Sequence, residues 1–195
     1  MVMIQSCESG RRWAPGTIII GLLLACNSTD AVRTVDDSEE SQQVALARDS
    51  TRAMQTDQLS YRVIASGNLL TITIRFTFRN PVEDTVYLLN CRGEWAITLS
   101  RYEDGQWRTI WGSVTPACAS APVVIPPGGA YSDTLWIAGG TPGGSVAPAF
   151  AVADLTGLYR LTWRGPVTGY FAQAQSGVDL ADPLRTSNRF QLIAN

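Results

Sequence analysis

Residues 69–80, LLTITIRFTFRN, restrict the fold more than any other stretch of the chain. Leu70, Ile72, Ile74, Phe76 and Phe78 alternate with Thr71, Thr73, Arg75, Thr77 and Arg79. Successive side chains on a strand point to opposite faces, so the pattern predicts one long strand with a buried face and a wet face. Branched and aromatic residues fill one face, and Thr and Arg fill the other, as a pleated, half-buried surface requires. Antiparallel sheets give this clean alternation, whereas strands of parallel sheets are usually apolar on both faces.

Composition narrows the chemistry available. The 195 residues include no histidine and no lysine, so all fifteen basic residues are arginine. Histidine general bases, histidine metal ligands, Schiff-base lysines and P-loop lysines therefore cannot be assembled. The formal charge of −2 is unevenly spread, with three Arg against seven acids in residues 26–60. The remainder is nearly neutral with scattered Arg, which argues against a nucleic-acid partner.

Arg11 and Arg12 precede the apolar run TIIIGLLLA at 17–25. Nine residues reach about 14 Å as helix, short of the roughly 30 Å of a hydrocarbon core. A basic segment, a short apolar segment and a small residue at its end describe a secretory signal, here residues 1–25. The run closes on Leu23-Leu24-Ala25-Cys26, which resembles the lipobox of bacterial lipoproteins. That resemblance implies cleavage before Cys26 and acylation of its thiol, with further acylation of the amine. Several chains on one residue matter because a single chain holds a membrane only marginally. Asn27 in place of Asp lacks the inner-membrane retention signal, so the implied address is the cell envelope, at the outer membrane where two membranes exist. Residues 26–60 are acidic and poor in aromatics, and read as a disordered tether, with a candidate short helix over 38–54.

From residue 61 onward, strands and turns alternate. Strands are expected at 61–66, 69–79, 85–89, 94–102, 106–111, 121–125, 131–137, 158–163 and 189–193. Asp104-Gly105 marks a tight hairpin, and Pro126-Pro127-Gly128-Gly129 a turn. Loops are expected at 138–148 and 165–188. Seven to nine short strands bounded by turn residues indicate an all-β, antiparallel sandwich over residues 61–195.

Asp154-x-x-Gly157-x-Tyr159 resembles the tyrosine corner of immunoglobulin-like domains, in which the Tyr hydroxyl bonds back to the backbone. The antibody cysteine two residues later is Leu161 here. Further pieces are Pro81-Val82, Val86-Tyr87-Leu88, Asp104-Gly105-Gln106-Trp107, Ile125-Pro126-Pro127-Gly128 and Arg185-Thr186-Ser187-Asn188-x-Phe190. Together they resemble the Ig-like domains of bacterial surface lipoproteins and, distantly, the Ig-like intracellular proteinase inhibitors of bacilli. The likeness implies a fold and leaves the activity open.

Cys7 lies in the leader and Cys26 is the lipid site, leaving Cys91 and Cys118 in the exported domain. Such a pair is most simply a disulfide, stabilising by roughly 3–4 kcal/mol in the chain-entropy model. A redox role lacks an activating His or Lys, and a metal site lacks further ligands. The acid pairs Glu83-Asp84 and Glu103-Asp104 fall in turns, and Asp179 with Asp182 is a weak calcium candidate. Trp95 and Trp163 match core faces, while Trp107 and Trp111 share one strand face. Trp111 and Trp136 are the candidate exposed anchors for a protein or a glycan. The resulting expectation is a lipid-anchored binding or structural module without catalysis and without cofactor. Its partners are the membrane and an envelope protein, a proteinase met by the 138–148 loop, or a glycan met by exposed Trp.

Overall fold

The 69–79 alternation becomes β4 (Leu69–Arg79), the longest strand together with β9 (Ala130–Gly140), to which it pairs over its whole length. The computed structural model describes residues 52–114, 120–173 and 175–194. These belong to a unit covering Asp36–Asn195, and a second unit, Met1–Val35, lies outside the described residues. The fold is all-β, and among the described residues the named strands pair antiparallel except where β2 (Ser60–Arg62) runs parallel to β13 (Phe190–Ile193).

Three sheets form. In the first, β9 covers one edge of β4, while β1 (Met54–Thr56) and β3 (Ile64–Ser66) share the other edge at opposite ends. The second runs β2-β13-β10-β6-β7, with β6 (Ile97–Glu103), β7 (Gln106–Gly112) and β10 (Gly157–Trp163). The third, smaller sheet runs β12-β11-β5-β8, with β5 (Val86–Leu88), β8 (Val123–Ile125), β11 (Pro166–Phe171) and β12 (Ser176–Asp179). One short helix, α1 (Asp182–Arg185), precedes β13.

The core sits where the inner faces of these sheets meet. Ile72, Ile74, Phe76 and Phe78 of β4 are fully buried, and Thr73, Arg75 and Arg79 between them are exposed. Trp163 of β10 is the hub. Phe76, Phe78 and Trp95 meet its ring edge-on at 5.1, 6.0 and 4.8 Å between centroids. Such T-shaped pairs add about 0.5–1.5 kcal/mol each beyond the area they bury. Gly165 is needed close by, since a Cβ there would lie 2.6 Å from the Leu89 carbonyl oxygen and 3.0 Å from the Trp163 indole nitrogen.

Several expectations need correction. Residues 61–66 do not make one strand: the chain passes from β2 to β3 at Val63 and so from the second sheet to the first. Met54–Thr56, expected in the tether and at the end of the candidate helix, forms β1, and the rest of residues 26–51 lies outside the described residues. The expected 165–188 loop contains β11, β12 and α1. Its strands are short, and Gly169 at φ 59° interrupts any alternation, so no period was visible there.

A buried polar run, Thr186 to Asn188, precedes β13 and ties it to its neighbours. Ser187 donates its backbone N–H to the Leu161 carbonyl, and its hydroxyl accepts from the Leu161 N–H at 2.9 Å. The Asn188 carboxamide oxygen accepts the Thr56 N–H at 2.7 Å, tying β1 to the end of the chain. Tyr159 departs from the expected corner. Its ring is fully buried, but its hydroxyl has no hydrogen-bond partner among the described residues. Burial pushes its pKa up to about 12, partly offset by the Arg101 guanidinium, which lies nearby out of bonding geometry. Arg101 instead donates to the Asp154 carbonyl at 2.9 Å, while Thr156 holds the Asp154 carboxylate below its ordinary range through backbone and side-chain hydrogen bonds.

Truncation should separate the two faces of β4. Ile74→Ala is expected to cost about 2–5 kcal/mol and Phe76→Ala about 3–5, because a packed interior closes over cavities only in part. Thr73→Ala, on the wet face, should stay within about 1 kcal/mol. Urea titration measures the contrast, and equal losses at Ile74 and Thr73 would place both faces in the interior.

Candidate functional site

The two candidate tryptophans end in opposite environments. Trp136, in the middle of β9, is 76 % exposed, whereas Trp111 is only 7 % exposed and packs beside Phe150. Trp111 owes its burial to a bulge in β7. Leu99 pairs with Trp111 and Ser100 pairs with Thr109, so Ile110 is an extra residue in β7. An extra residue reverses the parity of everything beyond it. Trp111 therefore turns inward beside Leu99, and Trp107 turns outward beside Tyr102, instead of both sharing a face. The Arg160 guanidinium lies 4.5 Å over the Trp107 ring, a cation–π contact on the outer side of the second sheet.

Trp136 stands at the rim of a groove of about 400 Å³ between β9 and the neighbouring ends of β6 and β7. Leu135, Ile137, Ile97, Trp95 and Trp111 line the groove, with Glu94 among its polar lining. Two of these indoles are tethered. The Trp111 indole N–H donates to the Ala138 carbonyl at 3.1 Å, and that of Trp95 donates to Asp133 Oδ2 at 3.0 Å. The Tyr131 hydroxyl donates to the same carboxylate oxygen at 3.0 Å. Burial first, and then this bond to a carboxylate, push the Tyr131 pKa up to about 12. The groove wall is thus held by fixed hydrogen bonds, and Trp136 is the aromatic ring beside it left to solvent.

β9 places Trp136 as it does because the register is pinned at the turn. The Asn80 backbone N–H donates to the Gly129 carbonyl at 2.9 Å, and its carboxamide donates to the carbonyls of Asp84 and Ile125. Gly128 takes φ 70° in that turn. The register sets Trp136 opposite Thr73 and leaves Leu135 and Ile137 inward. β9 also runs on to Gly140, so the expected 138–148 loop begins later. It is pinned where Gly140 N–H donates to the Pro148 carbonyl and Phe150 N–H to the Gly140 carbonyl, both at 2.9 Å.

The remaining candidates are dispersed. Cys26 lies outside the described residues. Cys91 is disulfide-bonded, and Cys118, its expected partner, lies outside the described residues. Cys91 and Glu94 exchange backbone hydrogen bonds at 2.9 Å across a tight turn in which Arg92 and Gly93 both take positive φ. That turn brings Glu94 to the groove. Glu103 and Asp104 pair with Arg108, and Glu103 also with Arg101 at 3.2 Å. Asp179 and Asp182, the calcium candidates, both accept hydrogen bonds from the Arg185 guanidinium. Comparison with protein-family models, with curated proteins and with solved structures finds no match for the chain.

Two measurements follow from this placement. Acrylamide should quench one fluorescence component strongly, and Trp136→Phe should remove it while Trp111→Phe leaves it in place; the reverse pattern would exchange their environments. Peptide mapping of the protein under non-reducing conditions should find Cys91 joined to Cys118, and a Cys91 peptide joined elsewhere would refute that pairing.

Proposed function

We propose that this chain is a lipid-anchored, non-catalytic binding protein of the bacterial envelope, built on an Ig-like sandwich, with its contact surface centred on Trp136. The observation that carries the reading is Trp136 itself, an indole largely exposed on a strand paired to β4 along its whole length, at the rim of a groove. A covered Trp buries about 150–250 Å², and most of that area is still open to solvent at Trp136. Rigid aromatic anchors of this kind dominate binding energies, because little conformational freedom is lost when a partner covers them.

Three further features support the reading. The Leu23-Leu24-Ala25-Cys26 sequence supplies the anchor and the address. An interlocked interior between sheets of mainly antiparallel strands, with the 60–66 segment divided between two of them, accords with a sandwich of Ig-like type. The absence of His and Lys from the whole sequence removes the commonest general bases and activated nucleophiles, which favours binding over catalysis.

Labelled fatty acid should enter the mature protein through Cys26, and Cys26→Ala should abolish the labelling. The mature chain carrying Cys26→Ser, freed of its anchor, should still co-sediment with isolated bacterial envelopes. Trp136→Ala should remove that co-sedimentation with no change in melting temperature. Retention of the Trp136→Ala variant at wild-type levels would show that the contact surface lies elsewhere.

A further inference from the structure

We infer that the outer face of the β4–β9 ribbon binds an anionic polysaccharide, with a sugar ring on Trp136 and acidic groups at Arg75 and Arg79. The inference rests on Trp136 being the contact surface and names the chemistry of what that surface takes.

Strand parity sorts the ribbon completely. Facing outward are Thr71, Thr73, Arg75, Thr77 and Arg79 from β4, with Ala130, Ser132, Thr134, Trp136 and Ala138 opposite them on β9. The only acid in either strand, Asp133, has inward parity opposite Phe76 and is occupied by Trp95 and Tyr131. The outward face thus carries hydroxyls, one indole and two guanidinium groups. Neither Arg75 nor Arg79 makes an ion pair among the described residues, although Arg101, Arg108 and Arg185 all do.

The two arginines occupy neighbouring depressions. One, of about 200 Å³, is lined by Thr73, Arg75 and Thr134 together with Asp57. The other, of about 240 Å³, is lined by Arg52, Gln55, Thr77 and Arg79, again with Asp57. Asp57 thus lines both depressions, and its carboxylate already accepts the Tyr61 hydroxyl at 2.6 Å. Four residues of strand separate Arg75 from Arg79 by about 14 Å, and Trp136 lies diagonally beyond Arg75. A linear ligand lying along β4 meets an aromatic face, a guanidinium, a row of hydroxyls and a second guanidinium in turn.

That order suits an acidic glycan. The C–H face of a pyranose packs on an indole, guanidinium groups take carboxylates or sulfates in paired hydrogen bonds, and Thr and Ser hydroxyls donate to or accept from sugar hydroxyls. A nucleic acid fits less well, because two guanidinium groups spaced along a row of hydroxyls neutralise few of the closely spaced phosphates that supply its affinity. A lipid surface fits less well too, since a single Trp on a hydroxyl-rich plane gives little apolar area to insert.

The test is affinity electrophoresis of the mature Cys26→Ser chain in gels containing polygalacturonate or a neutral dextran, alongside sedimentation with phosphatidylglycerol vesicles and titration with a single-stranded oligonucleotide. Polygalacturonate should retard the protein, dextran should not, and the retardation should weaken with added salt. Arg75→Gln with Arg79→Gln should weaken it about tenfold, and Trp136→Ala should abolish it, with melting temperatures unchanged. Equal retardation by dextran, indifferent to the arginine changes but lost in Trp136→Ala, would overturn the anionic assignment and leave Trp136 as the contact. Tighter binding to vesicles or oligonucleotide than to polygalacturonate would overturn it, as would no retardation in either gel. Envelope co-sedimentation of the Trp136→Ala variant is read independently of all these outcomes.

Discussion

The packing of β4 against Trp163 is the contact on which the rest of the domain depends. Phe76 and Phe78 close on the Trp163 ring from the first sheet, and Trp95 meets the same ring from the segment just before β6. With the inner face of β4 committed to that contact, period two leaves Thr73, Arg75 and Arg79 no position but solvent. The hydroxyl and guanidinium face is therefore the obligatory complement of the core. Burying those arginines instead would cost several kcal/mol each, which makes the two-sided pattern self-enforcing.

The register of β9 converts that face into a surface with a centre. Trp136 has two apolar strand neighbours, Leu135 and Ile137, and a slip of one residue would turn it inward and expose them both. Asn80 guards against the slip from the turn end, through its own backbone and its carboxamide. At the other end the 140–150 segment bonds back onto Gly140, where a Cβ would lie 2.5 Å from the Val146 carbonyl oxygen. Trp136 is thus presented by a strand fixed at both ends. A rigid platform loses little entropy on binding, which is the condition under which one aromatic anchor contributes strongly.

The aromatic residues divide by what their polar atoms find. Trp95 and Trp111 place their N–H groups on Asp133 and on the Ala138 carbonyl, so both rings can sit at the wall of the groove without an orphaned donor. Trp107 faces outward beneath Arg160, and among the described residues only Trp136 stands mostly in solvent. The same residue type thus serves core, groove wall, outer ladder and exposed platform, and sequence composition does not distinguish these four settings.

Local alternation made much of the domain legible. β4 and its two faces, β9, β10, and the β6–β7 hairpin at Asp104-Gly105, where both residues take positive φ, all follow from half-burial and turn chemistry acting on a few adjacent residues. The same reading placed Trp95 and Trp163 in the core, and Arg75 and Arg79 on a wet face. Tertiary structure alone decided the rest. β1, β11 and β12 carry no readable period, nor does the division of 61–66 into β2 and β3, and these features exist because distant partners complete their ladders. The bulge at Ile110 leaves no mark in the sequence, yet it sends Trp111 inward and Trp107 outward. Which strand lies beside β4 was equally unreadable, because pairing is a long-range choice made by the shared core. That choice brought Trp136 alongside Thr73 and Arg75, so the chain encoded the members of the platform and only folding assembled them.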